Sequence, residues 1–177
     1  MTDAISLQRI EKLHPRLREE AKKILAECDK ALSGRAKVRV TYTLRSFAEQ
    51  QAIYDQGRTK PGPVVTNAKP GQSLHNYGLA LDICLIIDGK EVSWNTAKDY
   101  DGDGRADWLE VVAIFVKYGW TWGADWDRDG ITKAQGDKDE NLVDAPHFQK
   151  TFGYGWRDLL ALHNANKMDT NGFVNLA

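Results

Sequence analysis

Ser73-Leu74-His75-Asn76-Tyr77-Gly78-Leu79-Ala80-Leu81-Asp82 is the stretch on which the reading of this chain turns, and Asp144-Ala145-Pro146-His147 answers it far downstream. Two imidazoles and one carboxylate are the donor set of a catalytic zinc, which keeps a fourth tetrahedral position open for water. Asp144, just ahead of the second histidine, stands where a general base is useful. Leu79 to Ile87 is almost wholly apolar, as a buried strand would be. Asp82 is the lone charge inside it, and an unpaired buried carboxylate is so unfavourable that a metal or an arginine is expected beside it. On a second strand through His147, Phe148 and Gln149, the histidine and the glutamine share one face. The three donors therefore converge if the two strands are neighbours in one antiparallel sheet.

Working outward, Asp88-Gly89 signals a hairpin turn into Glu91–Trp94. Residues 59–72, rich in proline, glycine and polar side chains, read as a loop delivering the chain to His75. Lys37 to Thr43 reads as a strand, and Ser46-Phe47-Ala48-Glu49 as a capping box opening a helix from Phe47 to about Arg58. Leu13, Leu17, Ala21, Ile24, Leu25, Cys28 and Leu32 recur at helical spacing, with Pro15 in a first turn and Gly34 past the end. Further helices are expected over Asp107–Tyr118, closed by Gly119, and Trp156–Asn164. Trp120, Trp122 and Trp126 are expected to build core and cleft wall. His14 and His163 sit in helical contexts without carboxylate neighbours and are read as structural.

The chain has 177 residues, 42% of them hydrophobic, enough for one substantial core. Lys plus Arg number 24 and Asp plus Glu 25, so the net charge of −1 gives no reason to expect nucleic acid or an anionic membrane as partner. The start carries no export-signal pattern, and no stretch approaches the roughly 18 apolar residues of a membrane span. Synthesis in the cytoplasm without a signal peptide is expected, as is a monomer. Cys28 and Cys84 are too few for a disulfide framework and suit small core positions. Cys84 shares the Asp82 face of its strand, which leaves open a closed, four-ligand metal site.

Three blocks in order carry a family resemblance. They are Thr43-Leu44-Arg45-Ser46 with Glu49-Gln50-Gln51 and Ile53 to Gly62; Ser73-x-His75-x-x-Gly78-x-Ala80-x-Asp82; and Asp144-x-Pro146-His147-Phe148-Gln149. Over roughly residues 37–160 the chain resembles peptidase family M15, in its VanY/CwlK-like and phage-endolysin branch of L-alanyl-D-glutamate peptidases. The resemblance implies an α+β fold, a single domain with a small antiparallel sheet flanked by helices and a Hedgehog/DD-peptidase-like zinc site. It implies a peptidase domain over 37–160, preceded by a helical segment 1–36 and followed by a tail 161–177. It makes His75, Asp82 and His147 zinc ligands, Asp144 the catalytic carboxylate and Arg45 the cation steadying the oxyanion, with Ser73 and Gln51 as substrate contacts. The implied activity is hydrolysis of the L-Ala–D-Glu bond of the peptidoglycan stem, after holin-type or other non-classical release to the wall. A D,D-carboxypeptidase or dipeptidase of the same family, and a non-catalytic metal-stabilised wall-binding module, are the alternatives. Asp139 and Glu140 are rival bases.

A second metal is signalled between these blocks. Asp99, Asp101, Asp103, Arg105, Asp107 and Glu110 occupy places 1, 3, 5, 7, 9 and 12 of an EF-hand-like calcium loop, with Gly104 at place 6. Asp125, Asp127 and Asp129 begin a similar loop, but Lys133 and Gly136 break the pattern. Calcium in that second loop, which has further acids at Asp137, Asp139 and Glu140, would order the approach to Asp144.

Overall fold

The computed structural model describes residues 3–130 and 142–176. Helix α1 (Ala4–Ile10) is opened by Asp3, whose carboxylate accepts the Ser6 N–H. A helix of 7 residues is too short for its apolar period to stand out, and sequence reading passed over it. Helix α2 (Pro15–Ala31) follows as expected, with Leu17, Ala21, Ile24, Leu25 and Cys28 as its buried stripe.

Strands β1 (Ala36–Tyr42), β2 (Ala80–Ile87), β3 (Glu91–Ser93), β4 (Thr121–Trp122) and β5 (His147–Gln149) form one antiparallel sheet. Its order is β1-β2-β5-β4, with β3 also paired to β2. β2 is thus the central strand, bordered by β1 on one edge and by β5 and then β3 on the other. Its alternate residues Leu81, Ile83, Leu85 and Ile87, with Leu79 just before it, join the core with the apolar stripe of α2 and with Trp108, Val111 and Phe115 of helix α4 (Asp107–Lys117). The opposite face of β2 is left for Asp82. The β2–β3 hairpin turns at Asp88 and Gly89, both at positive φ (49° and 70°), as Asp-Gly predicts.

Helix α3 (Phe47–Asp55) carries the expected capping box between Ser46 and Glu49. It stops short of Arg58 because the Asp55 carbonyl collects the N–H groups of Arg58, Thr59 and Lys60, closing a tight turn instead of another helical one. Helix α5 (Trp156–Asn164) has the expected bounds. Among the described residues no helix is long and apolar enough to cross a membrane. The fold class agrees with the α+β expectation.

Candidate metal centre and cleft

The register of β2 on β5 makes Asp82 and His147 direct cross-strand partners, and Ala80 and Gln149 the next pair on the same face. His75 arrives from a single 3-10 turn, Leu74–Tyr77, which Ser73 caps by accepting the His75 N–H and which Gly78 ends at φ +67°. The donor atoms then lie on a small triangle. His75 Nε2 is 3.2 Å from His147 Nδ1 and 3.3 Å from Asp82 Oδ1, and His147 Nδ1 is 3.2 Å from Asp82 Oδ1. Zinc bonds of about 2.0–2.1 Å in a tetrahedron put donors about 3.3 Å apart, so all three edges fit.

The second nitrogen of each imidazole is already engaged. His75 Nδ1 lies 2.6 Å from the Thr43 carbonyl oxygen, an acceptor only, so this nitrogen donates and Nε2 keeps its lone pair for the triangle. His147 Nε2 lies 3.1 Å from Gln149 Oε1, which fixes that ring the opposite way round, with Nδ1 inward. Burial alone would raise the Asp82 carboxyl pKa, but hydrogen bonds and charge from His147 and His75 outweigh it and hold the group well below the usual carboxylate range. Burial likewise disfavours a charged His147, yet the Asp82 carboxylate raises its pKa. Such a cluster could hold a cation in place of protons.

Cys84 does not join it. Among the described residues the cluster holds His75, Asp82 and His147. Cys84 is a cross-strand partner of Arg39, away from the triangle, and burial raises its thiol pKa. The four-ligand reading is therefore set aside.

Asp144, just ahead of β5, is placed by backbone hydrogen bonds with Gly123, just after β4. Its N–H donates to the Gly123 carbonyl (2.6 Å), the Gly123 N–H donates to the His147 carbonyl (2.8 Å), and the His147 N–H donates to the Asp144 carbonyl (3.0 Å). A Cβ on Gly123 would stand 2.3 Å from the Asp144 carbonyl oxygen, so only glycine permits this approach. Asp144 borders the cleft beside the triangle, open to solvent on one side. Partial burial, reinforced by the Asp82 charge, raises its pKa against the opposing pull of His147, His75 and Arg45. That is the direction a proton acceptor needs near neutral pH.

Arg45 reaches the same cleft from the β1–α3 connection. Its backbone N–H donates to the His75 carbonyl (2.9 Å), its carbonyl accepts from Asn76 Nδ2 (2.9 Å), and its guanidinium lies 4.6 Å from the Tyr42 ring centre. The guanidinium donates to Gln50 Oε1 (3.1 Å), while Gln50 Nε2 donates to the Ala68 carbonyl (2.8 Å). Gln50 is fully buried. Gln51, expected to meet substrate, is instead exposed on α3, donating to Asp55, and is not among the cleft residues. Helix phase separates the two neighbours, and Gln50 is the one the sequence reading missed.

The cleft holds about 740 Å³. Arg45, His75, Asp82, Asp144 and His147 line it together with Ser73 and an apolar wall of Ile53, Val64, Val65, Trp126 and Leu142. Arg58 secures the wall segment, donating to the Tyr54 and Thr66 carbonyls and to Asn67 Oδ1. The Trp126 ring stands 5.4 Å from that of His147, and its Nε1–H donates to the Leu142 carbonyl. The two remaining histidines are structural, as expected: His14 is buried against Val174, and His163 stacks on Phe47 at 4.5 Å.

Both acidic loops gather oxygens. Carboxylates of Asp99, Asp101 and Asp107 form one metal-capable group and those of Asp125, Asp127 and Asp129 another. Lys133, Gly136, Asp137, Asp139 and Glu140 lie outside the described residues.

A family model described as D-alanyl-D-alanine carboxypeptidase, of peptidase family M15, matches residues 66–131. The peptidoglycan L-alanyl-D-glutamate endopeptidase CwlK of Bacillus subtilis (strain 168) is 42% identical over 116 residues, 66% of this chain and 68% of CwlK. Among solved structures, the Serratia marcescens L-Ala D-Glu endopeptidase ChiX shares the fold at a TM-score of 0.51 and 23% identity, over 84% of this chain and 88% of ChiX.

Proposed function

The chain belongs to peptidase family M15, and from that premise we propose that it is a zinc-dependent endopeptidase of peptidoglycan that hydrolyses the L-Ala–D-Glu bond of the stem peptide. The observation that carries the reading is the donor triangle of His75, Asp82 and His147 opening into a cleft that also holds Asp144 and Arg45. The likeness to CwlK supports the choice of bond.

Zinc held by the triangle would supply Lewis acidity to the scissile carbonyl and a lowered pKa to water. Asp144, with its raised pKa, accepts a proton from the attacking water and returns it to the departing amine. Arg45, held by Gln50, offers its charge to the carbonyl oxygen as that atom gains charge. Ser73, at the cap of the His75 turn, borders the cleft where a backbone group of the stem would lie. The apolar wall of Val64, Val65, Trp126 and Leu142 seats the alanine side and limits water around the bond.

Calcium modulation enters through the second loop. Trp126 sits between Asp125 and Asp127 and packs toward His147, so a cation drawn in by Asp125, Asp127 and Asp129 would fix that ring and the cleft wall. The enzyme acts at the wall as a monomer.

The test is digestion of purified muropeptides by metal-stripped protein restored with zinc, with and without calcium, with the products read by mass spectrometry. A new L-Ala terminus on the sugar-linked fragment, absent with Asp144→Ala, is expected, with faster turnover in calcium. Release of terminal D-Ala alone would favour the carboxypeptidase reading that the family description suggests. Intact muropeptides under every metal condition would leave a non-catalytic module, and equal turnover with and without calcium would remove the modulation.

A further inference from the structure

Buried polar atoms without a hydrogen-bond partner are rare in folded proteins, and each one asks for an explanation. Among the described residues there are three such side-chain atoms: Asp107 Oδ1, Trp108 Nε1 and Glu110 Oε2. They fall within one turn at the start of α4, and two are carboxylate oxygens. Asp107 is fully buried. Leaving such an oxygen unmatched costs several kcal/mol in general terms, so a fold that buries two of them within one helical turn contains their partner or recruits one.

The partner is indicated by the loop before them. The Asp99 carboxylate accepts the N–H groups of Gly102 (2.6 Å) and Gly104 (2.9 Å), and the Asp103 carboxylate accepts the Arg105 N–H (2.8 Å). Gly104 turns the chain at φ +93°, the sharp bend that place 6 of a calcium loop requires. Carboxylate oxygens of Asp99, Asp101 and Asp107 already lie within 4.8 Å of one another. All the donors are oxygen, which selects a hard cation, and their number and flexibility suit calcium better than the small octahedral magnesium ion.

We infer that residues 99–110 bind one calcium ion through the carboxylates of Asp99, Asp101, Asp103 and Glu110 and the carbonyl of Arg105, with Asp107 completing the shell. The ion is structural and independent of the peptidase reading. None of these residues lines the catalytic cleft. The loop ties three parts of the fold together. Asp101 accepts both the N–H and the hydroxyl of Ser33 just beyond α2, Tyr100 shares a 2.7 Å hydrogen bond with Ser93 of β3, and Asp107 begins α4. α4 in turn stacks Phe115 on Phe148 of β5 at 4.3 Å. A cation here clamps α4 to α2 and to the β2–β3 hairpin, beneath the sheet that carries the donor triangle.

The test uses the full-length, zinc-loaded protein freed of other metals and titrated with calcium chloride, with thermal unfolding followed by calorimetry. At a hundredfold excess over the dissociation constant the midpoint should rise by about 5–10 °C. Terbium should bind at the same place and emit on excitation of Trp108, which lies within the loop. Both responses should persist in Asp125→Asn, which removes the contribution of the second acidic loop, and be lost when Glu110→Gln is added to that variant. Asp103→Asn, at an exposed position, should weaken both even if Glu110→Gln does not fold. No calcium-dependent midpoint in the wild type, an equal shift with magnesium, or a shift that survives Asp103→Asn and disappears in Asp125→Asn would each overturn the assignment. Loss of muropeptide cleavage with the thermal response intact would instead count against the peptidase reading alone.

Discussion

Single atoms decide the metal centre. His147 presents Nδ1 to the triangle because Nε2 is held by Gln149, whose carboxamide oxygen accepts from the ring. Gln149→Leu should leave the strand pairing intact, since that runs through the backbone. It should lower zinc affinity about 10–100-fold, measured by competition with a chromogenic chelator, because the ring loses the partner that fixes its tautomer. Asp144→Asn should behave differently. The amide keeps the size of the group but cannot take a proton, so kcat on muropeptides should fall about 10²–10⁴-fold with zinc content unchanged. A loss of zinc in Asp144→Asn would mean that the residue supports the metal rather than the chemistry. At this scale much was legible. Asp82 stood out as a charge in an apolar strand, and His147 and Gln149 could be set on one face by alternation alone. Gln50 could not, because a buried glutamine on a polar helix leaves no trace in the hydrophobic pattern, and its exposed neighbour Gln51 has the same chemistry.

Elements set how closely those atoms approach. Two-residue β4 and three-residue β5 form only a small patch of sheet, yet through the hydrogen bonds of Gly123 they hold both Asp144 and His147. Gly123→Ala would drive a methyl group into the Asp144 carbonyl and against His147 Cβ. The strand pair must spread, and kcat/KM should drop at least about 10-fold, since small misplacements of catalytic groups carry large rate penalties. Zinc affinity should fall with it, whereas a core methyl defect elsewhere would change stability and spare both. β4 escaped the sequence reading because two residues hold no alternation to detect, and α3 was read too long because nothing in its composition marks the Asp55 carbonyl as the end. β2, α2 and α5 were visible for the opposite reason: each is long enough for its buried stripe or apolar run to repeat.

Across the whole molecule, the chain end returns to its beginning. The Met168 and Val174 backbones bridge, Arg16 donates to the Leu176 carbonyl, and buried His14 faces the Val174 carbonyl oxygen at 3.0 Å, with Phe173 set edge-on to its ring. The His14 backbone N–H also donates to the carbonyl of Gly78, which ends the turn carrying His75, so this closure braces the donor triangle. Burial lowers the His14 pKa below its ordinary 6.5, aided by the nearby Arg16 and Arg18 charges and opposed by the Val174 carbonyl and Asp169. The sign follows by linkage. A histidine with a depressed folded pKa takes up its proton more readily in the unfolded chain, so its contribution is complete above pH 6.5 and is lost as pH falls through the folded value. Loss of a cation from the donor triangle at low pH would also change stability, and the measurement must separate the two. His14→Gln supplies the separation, because its amide can still donate to Val174 but does not titrate. Thermal midpoints of the zinc-loaded wild type should fall more steeply between pH 7 and pH 5 than those of His14→Gln, and the added protease sensitivity at the low end should map to residues 165–176. Parallel pH profiles for the two proteins would show that the closure of the chain ends does not depend on a neutral His14.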